Sequence, residues 1–258
     1  MAKKNVVGIC RLCGRHAVLC KSQYLGRALH KLALTNGQDA IMMTPKVIMA
    51  TQRQLWAHLL CRECEERLNK FGETTALQWV DNGKDFPLLE RMRLSLDVKD
   101  EGTSVTFSGS AMGVDTEALA YFALSLLWKG GVHQWPTAEG QTTSVPLGVF
   151  EEPIRKYLLG GPFPPDVYVL LGVCEDRGSR GMIFAPTVMR ETRHHTFSVL
   201  VRGLWFHIVA DARATALKKL CSVQSAKRVI HLENCEERFL DAGRHINQTA
   251  RVAASVKS

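Results

Sequence analysis

The sequence predicts an α+β protein in two parts. A cysteine-centred module covers residues 1–96 and a mixed helix and antiparallel-sheet domain covers 115–258, with 97–114 as a linker. Three observations carry this reading. Both Cys-x-x-Cys pairs fall in the first hundred residues. Thr116 to Lys129 is apolar nearly all round, preceded by Asp115 and followed by Gly130-Gly131, which reads as a capped, buried helix. Between these, Asp97 to Gly113 concentrates Gly, Ser, Thr and charge, the composition of a connection.

At 258 residues, with 46% hydrophobic and 22% charged side chains, the chain can bury a sizeable core as one large domain or two modest ones. It holds no low-complexity segment. Glu233-Asn234-Cys235-Glu236-Glu237-Arg238 echoes Leu60-Cys61-Arg62-Glu63-Cys64 but lacks a second cysteine at the right spacing, so the likeness reads as coincidence.

In chain order, Ser22 to Leu32 places apolar residues at 25, 28, 29 and 32, the one-face spacing of a short helix. Pro45 to Met49 reads as extended. Arg62 to Phe71 reads as a helix that begins inside the second cysteine pair and stops at Gly72. Glu151 to Gly160 has acids and proline at its start, bases later and glycine after its end, as a helix dipole favours. Strands are expected at Val167–Cys174, Met182–Val188, Phe197–Val201 and Trp205–Ala210, the last two as a hairpin about Arg202-Gly203. Glu236 to Val256 reads as a basic helix or a mobile tail.

The net charge of +8 is uneven: +6 over residues 1–100, −3 over 101–190 and +5 over 191–258. Basic ends fit contact with a polyanion; simple solubility is the other reading. Few apolar residues precede Cys10, too few for a secretory leader. The longest apolar run, Ala118 to Trp128, falls short of the roughly 20 residues that span a bilayer. The expectation is a cytoplasmic protein with no membrane contact, whose cysteines stay reduced and form no disulfides. Paired cysteines then read as metal ligands.

Cys10-Arg11-Leu12-Cys13 and Cys61-Arg62-Glu63-Cys64 are separated by 47 residues. Each Cys-x-x-Cys turn presents two thiolates from one tight curve, and four thiolates suit tetrahedral Zn²⁺. The second pair sits where a helix starts, and its N-terminal field favours thiolate. Arg11, Arg15 and Arg62 would offset the negative charge. With four cysteine ligands the site is closed to water, so the zinc is expected to be structural. The long gap implies an insertion between the two halves.

The pieces Cys10-Arg11-Leu12-Cys13, Leu19-Cys20-Lys21-Ser22-Gln23 and Leu59-Leu60-Cys61-Arg62-Glu63-Cys64-Glu65 resemble treble-clef proteins of the HNH endonuclease type. The chain is also similar to a largely uncharacterised bacterial group, through Leu60-Cys61 to Arg67, Asn69-Lys70-Phe71-Gly72-Glu73 and Glu151 to Gly160. The HNH likeness covers residues 10–73. It implies a nuclease in which a first histidine activates water and a later one helps hold Mg²⁺. Here Gln23 stands at the first position, where a carboxamide cannot act as a base, and Glu65 at the later one. Glu65 could ligate Mg²⁺, but the site is then half-built, unless His16, His30 or His58 substitutes.

The expected function is therefore that of a non-catalytic, zinc-stabilised protein. It would bind nucleic acid or a protein acting on it, in what the resemblance suggests is a bacterial defence or mobile-element assembly. A metal-dependent nuclease with a rearranged site and a purely structural subunit are the alternatives. Arg15, Lys21, Arg27 and Lys31 are the candidate phosphate contacts, Arg27 and Lys31 sharing one helix face. His194-His195 reads as a solvated loop or strand edge, since neighbouring strand residues face opposite ways. Trp128, Trp135, Trp205 and Phe206 sit among apolar runs and read as core.

Overall fold

A computed structural model of the chain describes residues 5–34, 40–43, 48–51, 54–102, 104–136, 142–189 and 194–235. The expected C-terminal tail and residues 45–47 of the extended segment lie outside these.

The first module is a three-stranded antiparallel sheet with an excursion in its middle. β1 (Val7–Ile9) pairs with β2 (His16–Gln23), whose other edge receives β5 (Trp56–Cys61). Between them come α1 (Arg27–Leu34) and a two-stranded ribbon of β3 (Ala40–Met43) and β4 (Ile48–Thr51), the insertion that separates the cysteine pairs. The helix starts later than its periodicity suggests because Ser22 and Gln23 complete β2. Ser22 is buried, and its Oγ accepts a hydrogen bond from the Leu60 N–H at 3.0 Å.

α2 (Arg62–Leu68) does not stop at Gly72. It runs on through a π-helical turn, Asn69–Glu73, into α3 (Thr74–Trp79). Glycine is needed there for approach rather than termination: a Cβ at Gly72 would lie 2.9 Å from the Phe122 Cα. α4 (Pro87–Arg93) follows, with proline in its first turn.

The presumed linker is part of the fold. β6 (Val98–Asp100) and β7 (Val105–Ser108) form one edge of a seven-stranded sheet, and α5 (Gly109–Met112) follows. The polar composition of β6 reflects its edge position, since every one of its residues is exposed.

α6 (Thr116–Val132) is the central helix. The Asp115 carboxylate caps it by accepting from the Ala118 N–H at 3.0 Å. The helix continues through Gly130-Gly131, where added Cβ atoms would meet Val145 and Leu147. It packs on one side against the π turn and α3, and on the other against the sheet, where Phe122 meets Phe206. β8 (Trp135–Pro136) and β9 (Thr142–Thr143) form a small ribbon, and α7 (Glu151–Leu158) then packs on α6. Tyr121 donates its hydroxyl to the Leu158 carbonyl at 2.7 Å.

The sheet is completed by β10 (Val167–Cys174), then, after the short α8 (Arg177–Arg180), by β11 (Ile183–Met189), β12 (His195–Val201), β13 (Leu204–Ala210) and β14 (Val229–Glu233). The spatial order is β11-β12-β13-β10-β14-β7-β6. The expected antiparallel sheet is thus mixed, because β10 and β14 run parallel. β14 escaped the sequence pattern because His231 interrupts its apolar run; the ring satisfies itself with Nε2 2.8 Å from the Leu220 carbonyl oxygen.

The β12–β13 turn has both central residues, Arg202 and Gly203, at positive φ, the geometry that matches strand twist in a two-residue hairpin. The arginine tolerates it because its surroundings fix it. Its side chain is 1% exposed, Nε donates to the Asp81 carbonyl at 2.8 Å, and the Asp81 N–H donates to the Arg202 carbonyl at 3.0 Å. The hairpin is thereby tied to the segment leaving α3.

The expectation of free cysteines throughout is also corrected. Cys174 and Cys235 form a disulfide. Cys174 ends β10 opposite Glu233 of the parallel neighbour β14, so Cys235, two residues beyond, comes within bonding reach. Both sulfurs are buried among Phe184, Leu200 and Trp205. Among the described residues no helix is long and apolar enough to cross a membrane.

Candidate metal centre

The first cysteine pair sits on the turn from β1 to β2. The Gly14 N–H closes it on the Cys10 carbonyl at 2.9 Å, and Gly14 adopts φ +74°, a left-handed conformation that glycine enters without strain. The Cys10 N–H reaches the Arg15 carbonyl at 2.9 Å, and the Arg11 N–H reaches the Leu59 carbonyl at 2.9 Å. The last of these docks the turn on β5. Cys61 ends β5 as the residue preceding α2, in extended conformation, and Cys64 lies one turn into the helix.

All four sulfurs converge. Their Sγ atoms lie within 4.8 Å of one another, Cys13 and Cys61 at 3.9 Å, and the Cys61 N–H points at the Cys10 Sγ at 3.4 Å. Among the described residues this is the one group of three or more His, Cys, Asp or Glu side chains gathered so closely, and it could hold a metal ion. Cys20 is not part of it. Cys10, Cys61 and Cys64 are buried while Cys13 is half-buried.

The electrostatics divide the four thiols. Burial pushes Cys10 up. Cys64 is raised further, by burial and then by the neighbouring Cys10. At Cys13 burial also pushes upward, but hydrogen bonds from the Arg15 side chain and backbone outweigh it and bring the thiol down to about 6. Arg15 donates Nε to the Cys13 Sγ at 3.5 Å and pairs with Glu63. Of the four candidate phosphate contacts, this one is therefore committed to the sulfur cluster.

The other three are spread out. Lys21 lies on β2 with Nζ 4.1 Å from the centroid of the Trp56 ring, on the strand alongside; the ring is 48% exposed. Arg27 and Lys31 are exposed on α1. Arg15 and Lys21 sit at opposite ends of β2, roughly 20 Å apart at strand rise.

No family model, curated protein or solved structure matches the chain. The chemistry must come from the residues themselves.

Gln23 ends β2 opposite Trp56, and its carbonyl accepts from the buried Lys129 Nζ at 3.1 Å. Glu65 turns one carboxylate oxygen into the interior, where it has no hydrogen-bond partner among the described residues. His58 has Nδ1 3.3 Å from the Leu19 carbonyl oxygen, and His30 is partly buried, which lowers its pKa. His194, expected to be solvated, lies 2.8 Å from the buried Asp211 carboxylate. The four aromatic residues assigned to the core are all buried.

The sequence reading missed an open pocket of about 260 Å³ on the exposed side of the cysteine cluster. It is lined by Cys13 and Cys64, by the cations Arg15, Arg67 and Lys70, by the carboxylates of Glu63 and Glu66, and by Phe71 and Leu159. Arg67, Lys70 and Phe71 recur at i, i+3 and i+4 after the second cysteine pair, a spacing that places them on one helix face and was available in the sequence.

Proposed function

We propose that the chain is a non-catalytic, zinc-stabilised protein whose N-terminal module has a treble-clef, HNH-like architecture and contacts nucleic acid. The observation that carries the metal is the sulfur geometry. Zn–S bonds of about 2.3 Å in a tetrahedron place sulfurs roughly 3.8 Å apart, and Cys13 and Cys61 stand at 3.9 Å. Cys10, Cys13, Cys61 and Cys64 would hold the ion, which would tie the β1–β2 turn to the start of α2. Four thiolates leave no coordination position for water, so the ion supplies structure and not chemistry.

Nucleic-acid contact is supported by the +6 charge of the first hundred residues and by cations beside exposed aromatic rings on this module. The lack of catalysis is argued from Gln23, whose side-chain carboxamide cannot accept a proton near neutral pH. A bacterial defence or mobile-element assembly, with a protein partner acting on nucleic acid, is the setting that the sequence resemblance favours.

The reading is tested by metal analysis together with salt-titrated binding of DNA and RNA. About one Zn²⁺ per chain and a log affinity falling linearly with log[salt] support it. Zinc-free protein purified without chelator, or the absence of binding at low salt, contradicts it. Robust Mg²⁺-dependent nicking of plasmid, abolished by replacing His16, His30 or His58, would establish the nuclease alternative.

A further inference from the structure

We infer that the pocket beside the cysteine cluster receives one nucleotide of a single-stranded nucleic acid, its base against Phe71 and its phosphate between Arg67 and Lys70. This rests on the nucleic-acid reading above and gives it a location.

Phe71 is a large apolar ring left 46% exposed on a helix that otherwise turns such residues inward. Burying it against a planar partner is favourable, and every base offers a π-face. Arg67 Cζ and Lys70 Nζ each lie 5.5 Å from its centroid. Cations at that distance can pair with the phosphate of a nucleotide whose base stacks on the ring.

Offsetting the thiolate charge is the competing role for these cations, and the contacts assign that role to Arg15. Arg15 is hydrogen-bonded to the Cys13 sulfur and paired with Glu63. Among the described residues Arg67 and Lys70 form no ion pair, and they turn toward Phe71 instead of the sulfurs. Once the Arg15–Glu63 pair is set aside, two cations face one carboxylate, Glu66, so an anion is favoured. A volume of about 260 Å³ lies below the usual range for drug-sized ligands and suits one nucleotide unit with its chain passing outside.

The experiment uses full-length, zinc-loaded protein and fluorescein-labelled oligothymidylate and oligouridylate of about 15 nucleotides, near the upper end of single-strand site sizes. Anisotropy titrations are run across a range of salt. Phe71→Ala should weaken binding about 5- to 100-fold, the range of one lost base stack. Because Phe71 also meets Tyr121, Phe71→Leu serves as a second variant that keeps apolar packing while removing the π-face. It should show the same loss with unchanged zinc content, and Phe71→Trp should retain binding. Arg67→Gln with Lys70→Gln should flatten the log–log salt slope by about 0.7, the value for one single-strand phosphate.

If wild type binds but Phe71→Leu and the double glutamine variant bind with the same affinity and slope, the pocket assignment is overturned and the nucleic-acid reading stands. If wild type binds neither oligonucleotide at low salt, both are overturned.

Discussion

The two ends of this molecule solve the same problem with sulfur in opposite oxidation states. In the first module a three-stranded sheet is too small to bury much, and four reduced cysteines gather where its turn meets α2. In the seven-stranded sheet, two cysteines are oxidised to a bond that clamps the parallel pair β10 and β14. As the proposed metal site, the first would need thiolates and would fail on oxidation. The second fails on reduction. Yet one continuous apolar core runs through both regions, from Leu12 and Leu29 through α6 to Phe206 and Ile230. The difference shows that local cross-links reinforce places where burial is thin, while α6 keeps the halves in one body.

The largest expected effect is loss of the metal. Zinc binding in small modules is worth about 10–16 kcal/mol at neutral pH, because it is folding free energy. Cys61→Ser, or chelation, should release zinc and expose the amides of β1, β2 and β5 to hydrogen exchange while those of β10 and β13 stay protected. Cys20→Ser and Cys221→Ser should keep the metal, since neither sulfur joins the cluster. Equal loss of protection in both sheets would break the comparison and make the molecule a single cooperative unit.

Reduction is the reciprocal experiment. Cys174 and Cys235 are 61 positions apart, and closing a loop of that size stabilises by roughly 2–4 kcal/mol. A non-chelating reductant should lower the unfolding free energy by that amount, read from the denaturant midpoint and slope, without changing zinc content. Paired Cys174→Ala and Cys235→Ala substitutions should reproduce the shift and be insensitive to reductant. A shift no larger than error would mean the sheet needs no clamp.

A third effect tests the joint between the regions. Gly72→Ala would push a methyl to 2.9 Å from the Phe122 Cα, against backbone that cannot swing aside. Overpacking of this kind costs about 1–3 kcal/mol. Equilibrium unfolding of the variant measures it. Wild-type stability would show that the π turn and α6 slide freely past each other, which a shared core does not permit.

The same joint explains what the sequence could and could not disclose. The cysteine pairs, the Asp115 cap, the α7 termini and the Arg202-Gly203 hairpin were legible because each is a local device with a fixed spacing. Gly72 and Gly130-Gly131 were misread as stops because a glycine demanded by a neighbouring helix or loop looks no different from one that ends a helix. β6 reads as a linker because an edge strand carries solvent-facing polar residues, and β7 is only four residues long. The parallel pairing of β10 with β14, and the disulfide that follows from it, depend on contacts about sixty residues apart that no local pattern encodes. At the cysteine cluster the ligands were legible and their surroundings were not: Arg15 looked like a phosphate contact until its sulfur and Glu63 appeared.

The smallest expected effect concerns Asp211, at the end of β13 and far from either sulfur device in sequence. Its carboxylate is held well below the usual range by the Arg213 side chain, whose Nε and Nη2 donate at 3.0 and 2.8 Å. His194 at 2.8 Å and the Arg213 N–H at 2.9 Å add to the effect. A depressed folded-state pKa stabilises the native protein above the unfolded value, near 3.9 for aspartate, and that contribution disappears as pH falls toward the folded value. Acid would also strip a metal from the cysteine cluster, because protons compete for thiolates, so the informative quantity is the difference between wild type and Asp211→Asn. The variant should start less stable at pH 7 and converge on wild type as pH drops below about 4. Arg213 is largely exposed, so the gap should be modest and should narrow with added salt. Urea midpoints measured across that pH range read it directly. Parallel curves, with a constant gap from pH 7 downward, would mean that Asp211 acts as a hydrogen-bond acceptor for its turn and that its charge contributes nothing to holding β13 in the sheet.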